Sequence, residues 1–334
     1  MKLGNKIATA GLFVSLLSQN ALSEVKHTSN LEIDSRIIVS EEPGYTAPKF
    51  FFDWIYFAHR VESGKVTAGL GFKAFGYGSN PIRQDAYVSY KTDEMGSLTF
   101  GSFNLTGDTY QDVQGVRYNY GLLKGENPLN VTVDILDSLS DEDANSYSGS
   151  AAALTLDGSF SGISYKVIYG KDENYIQNVS SLNYVTDYTY QYVMAKTPLP
   201  HGFSAKVWYE GIATGDRSTF SLNNVTKEVT KNVSVSNTAE TKTVTSLEID
   251  HVCTEPSETG AFVYGLHLDA LTYDLDEDNN HNLVAAYVGM NFKDGLKTKL
   301  WVESYEAASK KYEDKDGEMT DKKMVIYLQN YIYF

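Results

Sequence analysis

The chain has 334 residues, with 25 Tyr and 15 Phe against 7 Pro and one Cys, and a formal charge of −15. A single cysteine excludes an intrachain disulfide framework, so Cys253 reads as a small wall residue rather than a reactive thiol. The acidic balance argues against nucleic acid and anionic membrane surfaces as partners.

At the N-terminus, Lys2 and Lys6 precede an apolar run from Ile7 to Leu17, and Ala21-Leu22-Ser23 follows before Glu24. This is the basic, apolar and small-residue order of a secretory signal peptide, so residues 1–23 are set apart and 24–334 are read as one folded unit. Loss of the two lysines makes the mature chain −17. No later stretch approaches the roughly 20 apolar residues that a spanning helix needs. A membrane crossing, if there is one, is made by strands.

From there the dominant pattern is alternation with period two. In Val66-Thr67-Ala68-Gly69-Leu70-Gly71-Phe72-Lys73 every even position is apolar, and 203–210 and 296–303 repeat the pattern with charge on the second face. Segments of this kind are placed at 30–39, 49–60, 65–76, 82–92, 96–104, 114–120, 129–136, 148–156, 162–170, 183–196, 202–213, 242–253, 259–273, 281–292, 295–308 and 322–334. Most are near the 9 to 11 residues with which a tilted strand crosses a bilayer. Short connections at 61–64, 93–95, 197–201, 254–258 and 293–295 take turns with longer, more acidic ones at 137–147, 171–182, 214–241, 274–280 and 309–321. Turns sorted to one rim and loops to the other distinguish an outer-membrane barrel from a soluble sandwich. The expected fold is all-β: a transmembrane, antiparallel, up-and-down β-barrel of about sixteen strands.

A Lys or Arg facing lipid at mid-membrane costs roughly 2 to 4 kcal/mol, so the charged member of each alternating pair is expected to face the lumen. That places Lys73, Arg83, Asp85, Asp134, Lys166, Lys206, Glu210, Glu248, Asp250, Asp269, Lys297, Lys299 and Glu303 on the wall of a pore. Tyr77, Tyr90, Tyr209, Tyr273, Tyr305 and Tyr333, near strand ends, suit interfacial girdles. Trp208 and Trp301 are expected on the lumen side, where a sugar-stacking slide is the lesser reading.

None of the six His sits in a nucleophile or metal motif, and His267 reads as a hydrogen-bonded wall residue. Asp274-Leu275-Asp276-Glu277-Asp278 starts like a calcium loop, but Asn279 and Ala285 stand where Gly and Glu are needed. No catalytic residue, cofactor or metal is therefore expected, and the chain reads as a non-enzyme.

The last strand, Met324 to Phe334, ends in Phe with Ile326, Leu328 and Ile332 on one face, which resembles the C-terminal signature of outer-membrane proteins; Asn330 departs from it. Asp85-Ala86-Tyr87-Val88-Ser89-Tyr90 followed by Gly96-Ser97-Leu98-Thr99-Phe100-Gly101-Ser102 is similar to the hairpin before the constriction loop of Gram-negative general porins. Val116-Arg117-Tyr118-Asn119-Tyr120 resembles the strand after that loop.

The resemblance implies a homotrimer in the outer membrane, in contact with lipid and lipopolysaccharide. It would form a water-filled channel for small hydrophilic solutes and ions. It also implies a constriction in which Arg83 and Arg117 face Asp108 and Asp112, with Lys73, Asp85, Lys206 and Lys299 elsewhere on the pore wall. Ser102 stands where such porins usually carry a basic residue, and 105–113 is short for a constriction loop. Either 105–128 folds inward and the sixth strand is lost, or the constriction is unusual. Acidic loops predict a mild preference for cations. The alternative is a non-conducting surface barrel whose segment 214–241 binds a partner, plugs the lumen or extends as a hairpin.

Overall fold

A computed structural model of the chain describes residues 25–38, 49–75, 82–92, 95–104, 112–136, 151–179, 182–222, 229–253, 259–273, 280–293, 296–313 and 318–333. The strands run β1 Val25–Ile38, β2 Lys49–Ser63, β3 Val66–Phe75, β4 Ile82–Thr92, β5 Gly96–Asn104, β6 Asp112–Leu123, β7 Leu129–Leu136, β8 Ala151–Phe160, β9 Ile163–Val179 and β10 Leu182–Pro198. They continue as β11 Phe203–Thr214, β12 Arg217–Leu222, β13 Val229–Val235, β14 Glu240–Val252, β15 Gly260–Tyr273, β16 His281–Phe292, β17 Leu296–Ala307, β18 Tyr312–Glu313, β19 Met319–Thr320 and β20 Lys322–Tyr333.

All pairings are antiparallel. Strands β1 to β11 pair in sequence, β11 then pairs with β14, β14 to β17 pair in sequence, and β17 pairs with β20. Finally β20 pairs with β1, where Ile332 lies opposite Ile33, and Ile33 in turn lies opposite Ile55 of β2. The ladder thus returns on itself after sixteen strands, so among the described residues the ring itself has no free edge, while β13 pairs only with β12 outside it. Closure is what lets strands cross a hydrocarbon layer, because every backbone group needs a partner where there is no water.

The two faces of the ring differ as the alternation predicts. Phe57, Leu70, Phe100, Leu154, Val207, Leu266 and Val302, from seven strands, are each 39–47% exposed and share the outer face. Burying such side chains in lipid rather than water is worth roughly 1.5–3 kcal/mol apiece, so this surface is built for a bilayer. On the same face near the short-turn rim, Tyr90, Tyr118 and Tyr120 are exposed, and the Tyr118 hydroxyl donates to the Met95 carbonyl at 2.6 Å. Tyr273 and Tyr305, expected in the girdles, lie on the inner face instead. Asn330, the departure in the last strand, is on the outer face, where the Thr298 hydroxyl donates to its side-chain oxygen at 2.9 Å.

Turn chemistry fixes the register. Phe160 pairs with Ile163 across a two-residue turn in which Ser161 has φ 50° and Gly162 φ 82°. Two positive φ angles define the turn whose twist matches a hairpin, and glycine makes the second one cheap.

The segment 214–241, read as a connection, contains the β12–β13 hairpin. Residues 171–182, also read as a connection, are largely strand, since β9 runs to Val179 and β10 begins at Leu182. β6 is present as a full strand that starts at Asp112, opposite Asn104 of β5. Asp112 is therefore on a strand and not in an inward loop, and the sixth strand is not lost. Residues 1–23, the connection 137–147, Tyr77 and Asp108 lie outside the described residues.

Candidate functional site: the inner wall

The inner face divides into two regions. From β7 to β10, Leu136, Ala151, Ala153, Ile168, Tyr188, Tyr190 and Tyr192 bury one another, with Met194 and, from β11, Trp208 and Ile212 packed against them. This cluster is apolar, with the buried polar groups Asp134, Thr155 and Asp172 on the same strands. A second, more highly charged region lies on β11 and β14 to β17.

Register explains how that second region is assembled. Across the strands, Lys206, Glu248, His267, Ala285 and Glu303 form one row. Ser204, Asp250, Gly265, Tyr287 and Trp301 form the next row, and Trp208, Ser246, Asp269, Leu283 and Tyr305 flank the first on its other side. Directly opposed residues share a face with Cβ atoms roughly 5 Å apart, so each row is a set of touching side chains. Gly265 is the gap that makes one meeting possible: a Cβ there would lie 2.4 Å from both Asp250 Oδ1 and the Tyr287 ring.

Into that gap Tyr287 donates its hydroxyl to Asp250 Oδ1 at 2.7 Å, and His267 Nε2 lies 3.1 Å from the same oxygen. Glu248 Oε1 accepts from Trp208 Nε1 at 2.9 Å and has Lys206 Nζ at 3.5 Å. Lys299 Nζ sits 3.8 Å from the Tyr287 ring centroid and 5.4 Å from that of Trp301. Such a cation–π contact is worth roughly 0.5–2 kcal/mol, depending on desolvation. Glu303 accepts from the hydroxyls of Tyr305 and Tyr327. The result is a continuous patch of both charge signs and aromatic rings on the inside of the barrel.

Lys206 and Lys299 thus stand on the inner wall, as do Trp208 and Trp301, and His267 is hydrogen-bonded. Arg117 is inward as well, but its partner is Asp134 of β7: Nε donates to Oδ1 at 2.8 Å and Nη2 to Oδ2 at 3.0 Å, and Asp134 is fully buried.

Lys73 lies on β3 opposite Ile82. Arg83 lies on β4 opposite Phe72, while Ala86 lies opposite Leu70, so Gln84 and Asp85 together oppose Gly71. Such a bulge breaks strict alternation, and the assignment of Arg83 and Asp85 to one face by counting does not carry across it.

The grouping of Glu248, Asp250 and His267 was missed in sequence. Glu248 and Asp250 are recognisable as one face of β14, and His267 as inward on β15. Their meeting depends on a register, Val252 opposite Val263, that reaches past the short turn read at 254–258.

An outer-membrane protein of Vibrio cholerae, OmpT in its trimer form, superposes with a TM-score of 0.58 at 10% identity over 93% of this chain and 99% of that one. The outer-membrane channel DcaP of Acinetobacter baumannii gives 0.56 at 15% identity over 94% and 98%. A porin refined at 1.8 Å gives 0.50 at 13% identity over 93% and 100%. The fold is porin-like. No family model and no curated protein matches at the level of sequence.

Proposed function

We propose that this protein is an outer-membrane porin, a water-filled channel for passive diffusion of small hydrophilic solutes and ions, and not an enzyme. The observation that carries the reading is the pairing of a closed sixteen-strand ring, apolar outside, with an inner wall bearing Lys206, Glu248, Asp250, His267 and Lys299. Charge on the inside of a bilayer-spanning barrel is favourable only where water meets it. Export through a signal peptide cleaved after Ser23, contact with lipid and lipopolysaccharide, and assembly as a homotrimer complete the proposal.

A net charge of −17 on the mature chain supports a weak preference for cations, since an acidic vestibule raises the local cation concentration within a Debye length of about 8 Å. Arg83 and Asp108, with Asp112 at the strand end where that segment joins β6, are the proposed constriction residues, and Lys73 and Asp85 are proposed elsewhere on the pore wall. Replacing Asp108 and Asp112 together by Asn is expected to move the reversal potential toward anions, and an unchanged potential would remove both from the constriction.

Proteoliposomes test the proposal as a whole. Vesicles holding the refolded mature chain should swell in isosmotic small sugars and not in a large dextran. Inserted protein that leaves vesicles osmotically tight would favour the surface-barrel reading. For that reading the specific support is the β12–β13 hairpin, which rises from the ring beyond the pairing of Thr214 with Glu240.

A further inference from the structure

Glu248, Asp250 and His267 do more than decorate the inner wall: one ligand-type atom from each, two carboxylate oxygens and an imidazole nitrogen, lies within 4.8 Å of the other two. Two ligands held by one zinc-like ion at roughly 2.0–2.2 Å stand about 3.0–3.5 Å apart, and His267 Nε2 and Asp250 Oδ1 are 3.1 Å apart. The three come from two adjacent strands of a closed sheet, so their spacing is set by the ladder and not by a loop.

Beside this trio are polar atoms left without a partner among the described residues. Ser246, 1% exposed, and Asp269 are directly opposed, one pair along from Glu248 and His267 on the same inner face. Ser246 Oγ and Asp269 Oδ1 are both buried with no hydrogen bond. A buried oxygen left unpaired costs roughly 1–3 kcal/mol, and two together next to three converging ligands mark a place shaped for something the chain itself does not supply.

We propose that Glu248, Asp250 and His267 bind a divalent transition-metal ion of the zinc type on the inner wall, with Ser246 and Asp269 holding its water. An imidazole with two carboxylates suits such ions better than calcium or magnesium, which take all-oxygen sets. Outer contacts are in place: Tyr287 donates to Asp250 and Trp208 to Glu248, the kind of hydrogen bonds that orient ligating carboxylates. Lys206, 3.5 Å from Glu248, is the resident counter-charge that the ion displaces. The site stands whether or not the barrel conducts.

Calorimetric titration of Zn²⁺ into the refolded, untagged mature chain in detergent, near neutral pH, is the test. Saturation is expected at one ion per chain. His267→Ala and Asp250→Asn should each weaken binding at least tenfold, while His251→Ala, on the outer face of β14, leaves it unchanged. Lys206→Met should tighten it several-fold by removing the competing cation. Heat-shifted electrophoretic mobility confirms that each variant is folded, and His267→Gln replaces His267→Ala if the latter is not. No saturable binding by the wild type, or equal affinity in folded His267 and Asp250 variants, would overturn the site regardless of channel activity.

Discussion

Arg117 and Asp134 show what a single pair does inside this barrel. Both guanidinium contacts reach one carboxylate that has no exposure, so removal of the arginine strands a charge where water cannot solvate it. Breaking a buried pair in this way costs about 3–5 kcal/mol, far more than the pair contributes over a well-packed apolar replacement. Arg117→Ala is therefore expected to lower stability in denaturant unfolding by about 3 kcal/mol, and Arg117→Met with Asp134→Leu to recover most of it. A loss under about 1 kcal/mol in the single variant would show that water reaches Asp134. Sequence identified the type of each residue and its inward direction. It did not identify the pair, because a partner is a matter of register, and the resemblance pointed Arg117 toward acids in the preceding segment instead.

At the scale of elements, alternation was a reliable guide wherever a strand separates lipid from lumen, and it failed where a strand leaves the membrane. Between Lys171 and Val179 the chain reads Lys-Asp-Glu-Asn-Tyr-Ile-Gln-Asn-Val, polar on both faces, yet it continues β9 against β10, with Tyr175 stacked on Tyr188 at 4.6 Å. Water on both sides removes the need for two unlike faces, so the signal disappears while the ladder persists. The same applies to Asp112-Val113-Gln114-Gly115 at the start of β6.

Leu266→Arg, on the outer face of β15, should destabilise the inserted barrel by about 2–4 kcal/mol, whereas Lys166→Arg on the inner face of β9 should change it by less than about 1 kcal/mol. Equal effects in refolding titrations into lipid would contradict the assignment of faces. Excision of the β12–β13 hairpin with a short turn joining Gly215 to Ala239 should leave a folded, heat-modifiable barrel, because Thr214 and Glu240 are already opposed in the β11–β14 ladder. Failure to refold would show that the hairpin is part of the ring's support.

For the whole molecule, closure is the decisive feature. β1 and β20 are separated by nearly the full chain and meet with Ile33 opposite Ile332, while Thr298 satisfies Asn330, a polar side chain on the outer face of the last strand. The number of strands in the ring was legible because a bilayer imposes one thickness and one alternation on every strand. The apolar stretch of inner wall from β7 to β10 was not, since an inward Tyr or Ile obeys the same period as an inward Lys. How much of the lumen stays wet is therefore the question on which a channel depends.

Single-channel recording of the refolded mature chain in a planar bilayer, with reversal potential in a salt gradient, answers it most directly. Stepwise ohmic openings, in groups of three if the protein is a trimer and with a mild cation preference, are the predicted result. A folded, inserted barrel that passes no current would contradict the channel and leave the fold standing.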